Sequence, residues 1–340
     1  AAAIALRRAA LDYWLYIRDG WRQWIDWLKT SQEIKQNIIF WKLLALAGLV
    51  IMVQQIVSSH APSMLRDDLS YHLYLPKAYL EMGRIQATPF DQAQSFYPQM
   101  LNMGYIPMFA FGGELAVKMI NVLWGIILAL LGACLVLRAG GGGMAGLSTA
   151  IAVYATPILL QISATALTDM PAASYATAGL LALLIHLEHA KNNKRNHLWL
   201  VAVLNSMALN KYTSWSYPLT TLLMLLWFER KNAKGFISSA LSFTATSAAA
   251  LAPLCLFLWI TKGNPLYPLP LGLGLPFDGI EKANLAITTS NKSPLVLAHY
   301  LWDHLLGGAR WDAAAYVAWA PLAFLFPKLR RSVTGLSDFG

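Results

Sequence analysis

The chain has 340 residues, and 57% of them are hydrophobic while only 13% are charged. A soluble domain carries roughly 25% charged residues, so this composition, with a mean hydropathy of +0.47, excludes an ordinary soluble enzyme and indicates an integral membrane protein. The net charge of +9 does not point to nucleic acid, because the basic residues stand in short clusters between apolar runs, as the positive-inside rule expects.

Residues 1–37 precede the first apolar run, so a cleavable signal peptide is not expected there. Within them, residues 11–29 place Trp14, Ile17, Trp21, Trp24 and Leu28 at helical spacing, with Arg18, Asp19, Arg22 and Asp26 opposite. That pattern fits a helix lying on the membrane surface, and equally a helix packed on a partner protein. The transmembrane part covers 38–330 and a short tail follows at 331–340. The fold class expected is all-α and polytopic, with about eight spans: 38–57, 116–137, 144–162, 171–187, 197–210, 213–228, 236–260 and 312–327.

The stretch of about 58–115 is a long first outer loop. Its segment DDLSYHLYLPKAYLEMG reads as an amphipathic helix along the interface. The following YPQMLNMGYIPMFAFGG is apolar but short, and reads as re-entrant. Arg138, the Lys191/Lys194/Arg195 cluster, the Arg230/Lys231/Lys234 cluster and the Lys328/Arg330/Arg331 cluster share one side under this count, with the basic N-terminal segment. That side is the cytoplasmic one. Gly141, Gly143 and Gly146 formally match G-x-G-x-x-G, but without the strand–turn–helix context that a dinucleotide site needs. Cys134 and Cys255 both lie in apolar spans, so neither a disulfide nor a metal site is expected of them.

The informative residues are the ionisable ones near hydrocarbon, where a charge is costly and marks a functional site by default. Asp169 is the only acidic residue between Glu114 and Glu188. The pair Asp67-Asp68 follows the first span, on the same expected side. Lys211 is the only charged residue between Arg195 and Glu229. A membrane enzyme that moves a sugar from a lipid phosphate needs a carboxylate for the acceptor and a cation or metal for the departing phosphate. These residues can supply both. Each also has a plainer reading. Asp67-Asp68 can cap a helix starting at Leu69, Asp169 can cap one whose first turn holds Pro171, and Lys211 can snorkel. His72 is read as a packing or hydrogen-bonding residue, and His299, Asp303 and His304 as polar residues of a loop helix rather than metal ligands.

Taken in order, the motifs resemble the GT-C superfamily of membrane glycosyltransferases, in the branch of protein O-mannosyltransferases and aminoarabinose transferases. The residues that carry the resemblance are Asp67-Asp68-Leu69-Ser70-Tyr71 with His72, then Tyr97-Pro98, then Gly112-Gly113-Glu114 with Lys118. Thr168-Asp169 with Pro171 follows, then Lys211-Tyr212-Thr213, and finally Gly263-Asn264-Pro265-Leu266-Tyr267-Pro268. The resemblance covers about residues 38–310. It implies a GT-C-like fold, with Asp67 as catalytic base or acceptor-orienting acid, Asp68 and Asp169 as supporting acids, and Lys211 on the donor phosphate. Tyr71, His72, Tyr97, Tyr212, Asn264 and Tyr267 would complete the substrate site. Paired acids at Asp67, Asp68 and Asp169 permit a divalent metal ion as cofactor without requiring one.

The activity expected is transfer of a sugar from a polyprenyl-phosphate donor on the outer face of a bacterial inner membrane, with the N-terminus cytoplasmic and membrane lipids as surroundings. Two readings compete. One is a non-catalytic subunit of a membrane complex docked through the Trp-rich segment, which stable co-purification with a larger assembly would reveal. The other is a lipid or solute transporter, against which the lack of an inverted repeat counts.

Overall fold

The structure is a computed structural model that describes residues 31–86, 100–189, 197–209, 214, 216–230 and 232–265, with Arg18 and Arg22. Every regular element among the described residues is helical. In chain order they are α1 (Gln32–Gln36), α2 (Ile38–Ser59), a single π-helical turn (Asp68–His72), α3 (Tyr74–Met82) and α4 (Met100–Arg138). Then come α5 (Gly143–Tyr154), α6 (Pro157–Ser163), α7 (Asp169–His189), α8 (Leu198–Ala208), α9 (Ser216–Glu229) and α10 (Ala233–Lys262).

Four of these helices are long and apolar enough to cross a membrane: α2, α4, α7 and α10. A fifth crossing results if α5 and α6, bent by 66° against each other, form one broken span. The described residues therefore hold four or five of the eight expected spans. The spans expected at 197–210 and 213–228 are helices of only 11 and 14 residues. At about 1.5 Å per residue both fall short of the ~30 Å hydrocarbon core. The span expected at 312–327 and the helix expected at 11–29 lie outside the described residues, apart from Arg18 and Arg22.

The chain divides into two compact units, Ala1–Val50 and Ile51–Gly340. In the first, α1 is followed by the N-terminal part of α2, where Trp41 is buried and Ile39, Leu43 and Leu46 are exposed. Those outward apolar side chains suit lipid rather than water.

In the second unit α4 is the central element, packed against α3, α5 and α7. The re-entrant segment expected before 116 is instead helix joined to the span through a break at Gly112 and Gly113. Gly113 has φ 61 and ψ −149, a region essentially reserved for glycine. The Gly-Gly pair thus turns the chain between residues 100–111 and 114–138 without ending the helical run. The break between α5 and α6 has a different cause. Pro157 opens α6, and the residue before it, Thr156, is held extended at φ −60 and ψ 123, as the proline ring requires.

Four apolar clusters are found among the described residues, and two of them join the long helices. Ala129 of α4 packs on Ala150 and Tyr154 of α5. Ala182, Leu183 and Leu187 of α7 meet Leu198, Val201 and Ala202 of α8, Leu225 of α9 and Phe243 of α10. Close approach of α4 to its neighbours depends on Gly125. A Cβ there would stand 2.5 Å from Tyr154 Cε2, 3.0 Å from Met170 Cε and 3.3 Å from Ser163 Cβ. Small residues at such contacts are what lets membrane helices pack.

Gly125→Ala is therefore expected to lower stability by about 1–3 kcal/mol through overpacking. That outweighs the ~0.5–1 kcal/mol that alanine ordinarily gains over glycine inside a helix. Thermal unfolding in detergent measures it, and a variant as stable as the parent would show that the Tyr154 ring swings aside freely.

Candidate functional site

The polar centre of the molecule is the irregular stretch between α6 and α7, residues 164–168. Its backbone groups need partners inside an apolar bundle, where water supplies none. Asn121 of α4, fully buried, provides two of them. Its Nδ2 donates to Thr165 O and Leu167 O, each at 2.8 Å, with Ile162 O at 3.4 Å. An amide has two N–H donors, so the two short bonds are the strong ones. Tyr105 hydroxyl donates to Asn121 Oδ1 at 3.3 Å and orients the amide. Thr165 closes the stretch on itself, donating from Oγ1 to Ile162 O at 2.6 Å and accepting from Leu167 N at 3.3 Å. Ser163 Oγ reaches Gln55 Oε1 of α2 at 2.5 Å. Asn121 lies eight residues beyond Gly113, so the stretch meets α4 about 12 Å inside the helix.

The remaining amide, Ala166 N, donates to Asp68 Oδ2 at 3.2 Å. Ser63 Oγ donates to the same oxygen at 2.9 Å. Asp68 is fully buried, and its Oδ1 has no hydrogen-bond partner. Burial, the largest influence, pushes the Asp68 carboxyl above the ordinary aspartate range. The Ala166 and Ser63 hydrogen bonds and the charge of Lys118 act against it, and the charge of Glu114 acts with it.

A cavity of about 180 Å³ opens here, lined by Asp68 and Lys118 with Ser58, Ser63, Gln161 and Thr165 among others. Lys118 is buried in α4. Its Nζ donates to Ala61 O at 2.6 Å and pairs with Glu114 Oε1 at 2.5 Å. Glu114 Oε1 also accepts from Ser63 N at 2.9 Å. A buried ammonium is thus held by a carboxylate and a carbonyl, and removing either partner would be strongly destabilising.

The two acid-bearing motifs meet through Asp68. Asp67, its neighbour, is exposed, so the inward carboxyl is the second of the pair and not the first. Neither Asp68 nor Asp67 caps its own turn: the side chain of Asp67 makes no cap hydrogen bond, and Asp68 bonds to Ser63 and Ala166. Asp169, half-buried, stands in the first turn of α7, three residues after Ala166. His72 is buried on the same π-helical turn as Asp68, with Nδ1 donating to Asn102 Oδ1 at 2.8 Å. Tyr71 is half-buried with its ring tilted against His72, centroids 4.1 Å apart. Asn264 is buried just past the end of α10, and it does not line the cavity. Tyr97, Lys211, Tyr212, Tyr267 and the His299/Asp303/His304 set lie outside the described residues.

Among the described residues no three His, Cys, Asp or Glu side chains stand close enough to hold a metal ion. Asp67, Asp68 and Asp169 therefore do not form the shared ligand set that their spacing in sequence allows. One of the three faces outward and another spends Oδ2 on two protein donors.

Sequence reasoning missed Asn121 and Tyr105, and placed Lys118 only as a motif residue. Asn121 and Lys118 carried a visible signal: each is a lone strongly polar residue in an apolar run, where a polar group without a partner is costly. Comparison with protein-family models gave no match, and neither did comparison with curated proteins or with solved structures.

The raised pKa of Asp68 sets a pH dependence. A carboxyl whose folded value lies above its unfolded one binds more protons folded than unfolded between the two values, so stability falls as pH rises through that window. Relative to Asp68→Asn, which keeps an oxygen for Ser63 and Ala166 but cannot ionise, the parent protein is expected to lose melting temperature as pH is raised from about 4 to neutrality. Thermal unfolding of both proteins across that range checks it, and parallel curves would show that Asp68 is not the burdened group.

Proposed function

We propose that the chain is a GT-C-type glycosyltransferase of a bacterial inner membrane, with a cytoplasmic N-terminus, that moves a sugar from a polyprenyl-phosphate donor to an acceptor on the outer face. The observation that carries this reading is the meeting of Asp68 with residues 164–166 beside Lys118, at one cavity, from segments about a hundred residues apart. In that arrangement Asp68 is the acid for the acceptor. Its carboxylate takes the acceptor hydroxyl proton while the acceptor oxygen bonds to the sugar carbon. The sugar–phosphate bond breaks as that bond forms, and its electron pair leaves with the phosphate. Lys118 lines the same cavity and is a cation for that charge, beside the Lys211 that the resemblance implies.

The size of the cavity fits this division of labour. At about 180 Å³ it is smaller than the ~300–1,000 Å³ of drug-sized pockets, so it suits a head group whose chain stays in the surrounding lipid.

The non-catalytic subunit draws on a specific observation of its own. Lys118 is already satisfied by Glu114 and Ala61, and Asp68 already serves two protein donors. A centre of this kind holds a bundle together whether or not it turns over.

Transfer of labelled sugar from synthetic polyprenyl-phosphate donors in proteoliposomes separates the two. Asp68→Asn is expected to cut kcat by at least ~100-fold, the usual worth of a general base, with donor binding retained. Lys118→Met is expected to weaken donor binding instead. Loss of kcat at Asp67→Asn with Asp68→Asn active would move the acid to the exposed neighbour. A parent protein inactive with every donor, yet purified in a stable larger complex, would establish the subunit reading.

A further inference from the structure

We propose that Asn121 is the positioning residue of the Asp68 centre: by gathering the carbonyls of Thr165 and Leu167 it fixes the Ala166 N–H on Asp68 Oδ2 and so decides which carboxylate oxygen takes the protein's donors and which, Oδ1, is left without one. The role of Asp68 in transfer rests on the reading above, but the positioning itself does not.

Three observations carry it. Asn121 bonds both neighbours of Ala166 in the chain, Thr165 O and Leu167 O, so the peptide between them has little freedom to rotate. The Ala166 amide lies between those two anchors and points to Asp68. The Asp68 carboxyl is fully buried, shares Oδ2 between Ala166 N and Ser63 Oγ and leaves Oδ1 without a partner, and Asp68 is one of the residues lining the cavity. A carboxylate oxygen that receives two donors is held in orientation as well as in charge. If Asn121 releases the loop, one of the two donors leaves, and the anion loses a contact that favours it over the acid.

The ionisable groups acting on Asp68 are few. Lys118 favours the carboxylate and Glu114 opposes it, both from α4. Tyr105 and Asp169 belong to the same neighbourhood, since the charges of Asp68 and Asp169 both act on the Tyr105 hydroxyl. None of these is altered by changing Asn121 to another neutral residue, so a change in Asp68 titration would report the loop and not a new charge.

The test follows the C=O stretch of protonated Asp68 by infrared spectroscopy against pH, in the full chain in lipid, using Asp68→Asn to identify the band. In Asn121→Ser the midpoint of proton uptake is expected to move up by about one pH unit, the order of one charge-assisted hydrogen bond. Ser63→Ala, which removes the other donor directly, should move it the same way. Tyr105→Phe, which keeps the ring and removes only the hydroxyl on Asn121 Oδ1, serves if Asn121→Ser does not fold, and should give a smaller shift of the same sign. A midpoint unchanged in a folded Asn121→Ser, or in Tyr105→Phe where that is the variant measured, while Ser63→Ala shifts it, would overturn the proposal. This readout needs no sugar transfer. If transfer fails in the parent protein but the midpoint moves, the transferase reading falls and the positioning role stands. If transfer is present and the midpoint stays, the reverse holds.

Discussion

Irregular backbone inside an apolar bundle must find every hydrogen bond within the protein, and in this molecule one side chain takes two of its carbonyls. Residues 164–168 interrupt the helical ladder between α6 and α7, and Asn121 takes up carbonyls of that stretch from the flank of α4. Without such a partner each orphaned carbonyl costs on the order of 1–3 kcal/mol. The interruption exists where it does because α4 offers an amide at that depth, and because Gly125, four residues on, lets α5, α6 and α7 come close enough to reach it. The polar centre and the tight packing are two parts of one arrangement.

The same interruption explains why two distant acidic motifs belong to one place. A span that ends early leaves unpaired carbonyls at its end and unpaired N–H groups ahead of the next helix, and such an N–H is a natural partner for a carboxylate. Ala166 N is that amide and Asp68 is that carboxylate. The 61–63 segment is drawn in from the other side by Lys118 and Glu114, which hold Ala61 O and Ser63 N. Charge and backbone therefore satisfy each other reciprocally, as buried polar networks must if they are to be stable.

Much of the scaffold was legible from hydropathy. The runs at 38–57, 171–187 and 236–260 lie within α2, α7 and α10 with ends off by only a few residues. The run at 144–162 was equally visible, but its 66° bend was not, although Ala155-Thr156-Pro157 held the cause. The short helices α8 and α9 were read as spans because hydropathy reports apolarity and not how far a helix persists. At the site, the importance of Asp68 and Asp169 could be argued from the cost of charge near hydrocarbon. Which of Asp67 and Asp68 turns inward could not. Neighbouring residues on a helix point about 100° apart, and the choice depends on the phase of a single π-helical turn. The role of Asn121 was hidden for another reason: its partners are backbone carbonyls, which any sequence possesses.

The helix α10 has 30 residues, so it rises about 45 Å against a hydrocarbon core of about 30 Å. Only 11% of its most apolar stretch is buried within the protein, so the bundle does little to fix its angle. A helix so long and so lightly held must tilt, or carry its ends out into the head groups, and each ångström of misfit costs a fraction of a kcal/mol. Its slope therefore responds to the thickness of the bilayer as well as to its packing on α8 and α9. Because α10 packs on α8, and α8 on α7, a thinner or thicker membrane bears mechanically on the helix whose first turn holds Asp169.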